Sequence, residues 1–241
     1  MEAVSPEIAI RRLSAVVEGA SSGRTDLRVL DAGCGSDSSR AGFPVPEAFE
    51  AGHVTGIDVA QDVLDRNALL DERIVANLET VELPNESFHV VVCWDVLEHL
   101  SEPMRAVDAL ARAVTPGGIL VVGVPNLLSL KGLITKATPF WFHRLVYERV
   151  FAADSAPFHT YLRRSLVPAR LQEHVERRGF DSELAVIYGT DDPEALFGSR
   201  RVLGRVWTLA LQALRLVSLG RMRPEASEAA MVFRRRMPLE G

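Results

Sequence analysis

The sequence predicts an α/β protein with a doubly wound, mostly parallel, seven-stranded sheet. Two observations lead to this fold class. First, short apolar runs of strand length alternate with longer segments of helical periodicity, an order typical of a parallel sheet with helices on both faces. Second, a chain of 241 residues, 47% hydrophobic and 24% charged, can bury one large core. We therefore expect a single domain spanning residues 1–241.

The regular alternation occupies the first half of the chain. Segments with helical spacing predict helices over 8–19, 62–67 and 104–114. The short apolar runs predict strands over 27–32, 53–59, 73–76, 88–94 and 119–124. The third helix is followed by Thr115-Pro116-Gly117-Gly118, a proline and glycine stop signal.

Two long segments, 126–165 and 189–228, interrupt the alternation. Between and after them, a helix over 166–178 and strands over 183–188 and 229–234 are predicted, so that 166–188 and 229–236 complete the sheet. Each interruption follows a parallel strand and must leave from its carboxyl end, where ligands bind in such sheets. We expect both interruptions to form helical lids over a site built on residues 27–125.

The second lid contains an apolar helix over 202–219. Its polar residues form a narrow stripe that leaves most of the circumference apolar, so it should bury two faces. Three surfaces are open: the core of the chain, which we favour, a second copy contacted through 200–223, or a bilayer, which the flanking arginines suit.

Composition excludes several classes of function. A net charge of −5 argues against a nucleic-acid partner, which requires a concentrated basic surface. The six histidines and two cysteines lack metal-ligand spacing, so no metal site is expected. The amino-terminal sequence lacks the layout of a secretion signal, which predicts a cytoplasmic location, with peripheral contact at the inner membrane surface as an alternative.

The turn after the first strand has the sequence LDAGCGSDSS, in which Gly33 and Gly35 allow close approach of a ligand. Asp31 and Asp37 place two acids beside these glycines. A dinucleotide would bring a pyrophosphate to these acids, and each pair of like charges would cost about 1 to 4 kcal/mol. S-adenosylmethionine brings an ammonium and a sulfonium instead, so the acids favour a cationic cofactor.

Five segments in this order resemble the class I S-adenosylmethionine-dependent methyltransferases, with the ubiquinone-methyltransferase-like branch nearest. The segments are Val29 to Gly35, Gly56-Ile57-Asp58, Asn77-Leu78-Glu79, Asp95 to Leu100 and Thr115 to Gly118. The resemblance covers residues 27–125 and implies a seven-stranded sheet whose last strand is antiparallel. Asp37, in place of a third glycine, and Asn77, in place of a frequent aspartate, depart from the family pattern.

The resemblance implies a cofactor site at the strand ends. Its expected residues are Asp31, Gly33, Gly35, Asp58, Asn77, Leu78 and Trp94. Asp31 and the two glycines would hold the methionine end of S-adenosylmethionine, and Asp58 would accept both ribose hydroxyls. Asn77 and Leu78 would border the adenine, and Trp94 would line the cleft.

The implied activity is O-methylation of an apolar, lipid-linked or glycosylated small molecule, with glycan, polyketide, quinone and lipid acceptors all open. A general base is expected, and the candidates are His159 and His99. One alternative is a catalytically weak methyltransferase-like binding or regulatory subunit, which the departures at Asp37 and Asn77 motivate. Another is a nicotinamide-dependent oxidoreductase, which the acids of the first turn oppose.

Overall fold

The computed structural model describes residues 1–36, 52–137, 160–161, 163–189, 197, 201–219 and 222–238. Its strands are β1 (Glu2–Val4), β2 (Arg28–Ala32), β3 (His53–Asp58), β4 (Glu72–Val75), β5 (Phe88–Trp94), β6 (Val114–Pro125), β7 (Phe180–Tyr188) and β8 (Glu228–Arg235). Its α-helices are α1 (Pro6–Ser21), α2 (Gln61–Arg66), α3 (Pro103–Ala113), α4 (Leu130–Ala137), α5 (Pro168–Glu176) and α6 (Arg201–Val217). Short 3₁₀ turns lie at Leu97–His99 and Arg164–Leu166.

The strands form one sheet in the order β1-β7-β8-β6-β5-β2-β3-β4. Every pairing is parallel except those of β8, which runs antiparallel to both β6 and β7. The predicted fold class is confirmed, with eight strands instead of seven. The additional strand is β1, whose three residues pair with Val186 to Tyr188 at the sheet edge. Three residues are too few to show an alternating pattern, so sequence analysis missed this strand.

The sheet is covered on both faces, as its apolar strands require. On one face, α1 buries Ala9, Leu13 and Val17 against the sheet. On the other face lie the buried residues of α3 and α5. The apolar residues of β5 alternate between these two clusters, and all residues of the strand but its last are buried. This explains why its sequence is apolar except at His89.

Strand β6 begins earlier than predicted. Helix α3 ends at Ala113, one residue before the predicted end, but β6 starts at once at Val114 instead of at Ile119. Val114 pairs with Phe88 and Ile119 with Val90, so the Thr-Pro-Gly-Gly segment bulges out of the ladder. Gly117 supplies the positive φ of +74° that this bulge requires.

Two helices belong to the segments that were expected to form lids. Helix α4 was not predicted, and it packs against α6. Helix α6 lies where the apolar helix was expected, but none of its residues is buried. The favoured expectation that its faces are buried in the core is therefore wrong, because a nearly all-round apolar pattern does not specify which surface covers it.

Candidate active site

The candidate site lies where the chain reverses the direction in which strands are added. Strand β2 is central, with β3 and β4 on one side and β5, β6 and the later strands on the other. In doubly wound sheets, ligands bind in the crevice at the carboxyl ends of the strands that flank such a point. The crevice between the ends of β2 and β5 therefore receives the residues that follow Ala32 and Trp94.

The glycine turn after β2 has a backbone that only small residues accommodate easily. Gly33 has φ +77° and Gly35 has φ +56°, both in the left-handed region. The amides of Gly33 and Cys34 both donate to the carbonyl of Ile57 on β3, at 2.7 and 3.1 Å. A Cβ on Gly33 would collide with the side chain of Val96. The turn is thus fixed against β3 and leaves no room for a side chain at Gly33.

Asp58, at the carboxyl end of β3, holds this turn from the other side. Its Oδ2 accepts the amide of Gly35 at 3.1 Å, and its Oδ1 accepts the amide of Ala60 at 3.0 Å. Asn67 adds a third link by donating its side-chain amide to the carbonyl of Gly35 at 3.1 Å. Since a carboxylate oxygen can accept more than one hydrogen bond, Asp58 retains acceptor capacity for a pair of hydroxyls.

Asp31 is the buried acid of the site, with only 4% of its surface exposed. Burial raises the pKa of the neighbouring Cys34 to about 12, and the negative charges of Asp31 and Asp58 add to this effect. The pKa of Cys93 is raised in the same way by burial, then by Glu98 and Asp31. Both cysteines are free thiols, and these shifts keep them protonated and poorly nucleophilic.

Asn77 and Leu78 follow β4, next to the end of β3. The amide of Ala76 donates to the carbonyl of Asp58 at 3.0 Å and so joins the two segments. The side-chain oxygen of Asn77 accepts the amide of Glu79 at 2.8 Å, which closes a turn at an exposed position. Leu78 is buried in the core. Asn77 therefore has a local structural role, and its side-chain nitrogen and remaining oxygen lone pair suit an adenine edge.

Trp94 ends β5 opposite Gly123 of β6. A Cβ on Gly123 would collide with the Trp94 ring system, so the indole lies flat across this glycine. Trp94 is half-buried and packs with the cluster on the α1 face of the sheet. The structure thus places the indole at the mouth of the strand ends, over β6.

A second group of acids follows β5, and sequence analysis did not assign it a role. Asp95 has a left-handed backbone with φ +54°, unusual for a residue with a side chain. Glu98 is 5% exposed, and its Oε2 has no hydrogen-bond partner in the described part of the chain. Burial, followed by the charge of Asp95, raises the pKa of Glu98 to about 8. The signal was available, since Asp95 directly follows the buried strand β5, just as Asp31 and Asp58 lie near the carboxyl ends of β2 and β3.

His99 lies beside this group. Its Nε2 is 3.9 Å from Oε1 of Glu98, and its side chain is 33% exposed. Desolvation raises the pKa of Asp95, while the charges of Lys131 and His99 oppose that shift. The imidazole therefore lies at the edge of an acidic group and in contact with solvent.

The acidic group extends to the neighbouring strand ends. Lys131 Nζ is 3.8 Å from Oε1 of Glu228, at the start of β8. Burial raises the pKa of Tyr188, which is paired with Glu228 across the sheet, and the charges of Glu228 and Asp95 add to this shift. The carboxyl ends of β5 and β7 thus share one electrostatic environment with the start of β8.

Two sequence-based expectations reach beyond what the structure tests. His159, the other candidate base, lies outside the described residues, as does Asp37. No group of three or more histidine, cysteine or acidic side chains arranged to hold a metal ion occurs within the described ranges.

The central part of the chain is similar to a family of known proteins. Residues 30–122 match the family described as "Methyltransferase domain". This match spans β2 to β6 and includes the glycine turn, Asp58 and the acidic group after β5. This central part of the chain is therefore similar to methyltransferase domains.

Curated proteins of similar sequence also match only part of the chain. A ubiquinone biosynthesis O-methyltransferase of Hydrogenovibrio crunogenus is 32% identical over 98 residues, which is 37% of this chain and 39% of the relative. An uncharacterized methyltransferase of Schizosaccharomyces pombe is 33% identical over 122 residues, or 44% and 42% of the two chains. The chain spans less than half the length of the curated relatives it matches.

Solved structures share the fold over nearly the whole chain. A structure described as loganic acid methyltransferase with SAH has a TM-score of 0.58 and 16% identity, covering 96% of this chain and 94% of that one. Because the sequence identity is low, this similarity shows the fold alone.

Proposed function

We propose that this protein uses S-adenosylmethionine to methylate a hydroxyl group on an apolar, lipid-linked or glycosylated small molecule. The observation that supports this proposal best is the glycine turn, which leaves no room for a side chain at Gly33 and is flanked by the carboxylates of Asp31 and Asp58. Negative charge at this turn attracts an ammonium or a sulfonium and repels a pyrophosphate. The curated O-methyltransferase relatives support a hydroxyl acceptor.

The described residues fit this cofactor. Asp58 has acceptor capacity left for the ribose hydroxyls after binding two backbone amides. In this proposal, Asp31, Gly33 and Gly35 hold the methionine end, and Asn77 and Leu78 border the adenine. Trp94 forms part of the cleft wall. When bound, S-adenosylmethionine supplies the electrophilic methyl group.

The chain must also align the acceptor and remove its proton. Alignment in a closed site can supply roughly 7 to 11 kcal/mol of the barrier. The acceptor hydroxyl loses its proton as the new bond to carbon forms, and a positioned base accelerates this about 10²- to 10⁴-fold. Within the described residues we assign this role to His99, whose Nε2 lies 3.9 Å from Oε1 of the Glu98 carboxyl group. His159 remains the alternative base.

Calorimetric titration of Asp58→Ala tests the cofactor site. We expect S-adenosylmethionine and its demethylated product to bind the native chain, and the variant to bind them at least 10-fold more weakly, because two charge-assisted hydrogen bonds to ribose are lost. The matched control is Asp62→Ala, since Asp62 is an exposed acid on α2 that pairs with Arg66 at 3.3 Å.

Three outcomes would contradict the proposal. Equal affinity in Asp58→Ala and Asp62→Ala would remove Asp58 from the ribose site. Binding of NADH in preference to S-adenosylmethionine would support the oxidoreductase alternative. Tight cofactor binding without methyl incorporation into any lipid, glycan or quinone fraction would instead favour a binding or regulatory subunit.

A further inference from the structure

Helix α6 presents an apolar surface to solvent. The positions that turn toward the protein are only half-buried, and they follow helical spacing at Gly204, Trp207, Leu211 and Leu214. Large apolar side chains lie on the remaining circumference. With their exposed fractions they are Val202 (73%), Val206 (59%), Leu209 (63%), Leu216 (77%) and Val217 (82%). We call these five side chains the α6 surface.

Apolar exposure continues beside the helix. Leu219, just after α6, is 81% exposed, and on the α4 side Leu128 and Ile134 are 49% and 39% exposed. The amide of Leu130 donates to the carbonyl of Pro224 at 2.7 Å, which ties the start of α4 to the chain that follows α6. Soluble proteins rarely leave so many neighbouring large apolar side chains exposed unless a partner covers them.

Charge indicates what covers this surface. Residues 195–224 contain six arginines and no aspartate or glutamate. Arg201 and Arg205 are exposed on α6 itself, whereas Arg215 is paired with Glu225. A symmetric contact between two copies would place this cationic helix against itself, which repulsion opposes. A surface of anionic lipid matches both the apolar and the cationic side chains.

We propose that the α6 surface docks this protein onto an anionic phospholipid surface, with α6 lying in the plane of the headgroups. No helix in the described segments is long and apolar enough to cross a bilayer, so the contact is peripheral. This docking does not depend on the proposed methyl transfer.

The α6 surface belongs to a connection at the ligand-binding edge of the sheet, so docking would have a consequence for the proposed function. Strand β8 is antiparallel, so its first residue, Glu228, lies beside Tyr188 and Pro125 at the ligand-binding edge of the sheet. Helices α4 and α6 also lie on the connections at this edge. If the proposed function holds, a docked protein would open its site toward the lipid and take an acceptor that resides there.

Vesicle co-sedimentation of the full chain tests the docking. The vesicles are phosphatidylcholine alone, or equal parts of phosphatidylcholine and phosphatidylglycerol. We expect binding to the anionic vesicles that weakens with added salt, and at least 10-fold weaker binding to neutral ones. Arg201→Gln and Arg205→Gln should each weaken binding roughly fivefold.

Leu209→Glu tests the apolar contribution and should abolish binding to anionic vesicles. Ile10→Glu is the matched control, since Ile10 is an exposed apolar residue of α1 (46%) and its replacement should leave binding unchanged. Cofactor titration of both variants should equal that of the native chain, which separates this test from that of the proposed function.

Three outcomes would overturn the docking proposal. They are absence of binding to either vesicle, equal binding of Leu209→Glu and native protein, and a dimer in light scattering that Leu209→Glu dissociates. The last outcome would assign the α6 surface to a second copy of the chain.

Discussion

Glu98 illustrates how much a single residue depends on distant parts of the chain. Its carboxyl is buried against the end of β5, and its backbone carbonyl accepts the amide of Tyr161 at 2.7 Å. The contact with Tyr161 has no local sequence signal, because Tyr161 lies far along the chain. The strand-end acids Asp31 and Asp58 could be assigned candidate roles from sequence because a resemblance to known motifs fixed their context.

Glu98→Gln should flatten the dependence of stability on pH. The folded pKa of Glu98, about 8, lies above its ordinary value of 4.5, so the unfolded chain releases this proton first. Protonated Glu98 therefore contributes its full stabilisation of the folded state below about pH 4.5. As the pH rises from there toward 8, the free energy of unfolding falls by up to about 1.4 kcal/mol per pH unit. Glutamine carries no charge and removes that slope.

Urea unfolding across this pH range measures the effect. Glu102→Gln is the control, because Glu102 has an exposed side chain that pairs with Arg105 at 2.7 Å. An equal slope in native protein and Glu98→Gln would show that Glu98 ionises normally in the folded chain.

At the scale of elements, the glycine turn after β2 is the most demanding backbone of the site. Gly33→Ala places a Cβ against Val96 at a positive φ, so the turn must shift. We expect S-adenosylmethionine affinity to fall at least 10-fold, and the melting temperature to fall as well.

Gly19→Ala provides the matched control for this substitution. A Cβ at Gly19, inside α1, meets no atom within 4 Å, so alanine should stabilise the helix by about 0.5 to 1 kcal/mol. Calorimetric titration and thermal unfolding of both variants provide the comparison. Unchanged cofactor affinity in Gly33→Ala would place the ligand away from this turn.

The bounds of β5 and β6 show where a sequence pattern predicts an element correctly and where it does not. Strand β5 was predicted with its observed bounds because polar residues, Ser87 and Asp95, flank it on both sides. The start of β6 was misplaced because Thr-Pro-Gly-Gly has the composition of a turn, yet it forms a bulge inside a strand. Local composition describes the turn correctly, but it does not reveal that Val114, just before the turn, already pairs with Phe88 of β5.

At the scale of the whole molecule, the alternation of strands and helices was sufficient to predict the fold class. The surroundings of α6 were not predictable, since an apolar helix suits a core, a second copy or a lipid surface equally well. Which of these applies depends on tertiary contacts, and α6 buries none of its residues.

Cofactor binding should stabilise the entire fold, because the proposed site joins β2, β3 and β5 of one sheet. Ligand at 100 times its dissociation constant adds about 2.7 kcal/mol. For a chain of 241 residues this corresponds to a rise of about 5 to 10 °C in melting temperature. Differential scanning calorimetry with demethylated S-adenosylmethionine measures it, and NADH at the same concentration should give no rise.

The indole lying across Gly123 makes Trp94 an intrinsic optical probe of the strand ends. The chain has three tryptophans, and Trp207 lies on α6, with its ring 5.8 Å from that of Phe197. With Trp141 and Trp207 replaced by phenylalanine, emission would come from Trp94 alone. Stopped-flow fluorescence of such a chain would follow events at the crevice in real time, without a label.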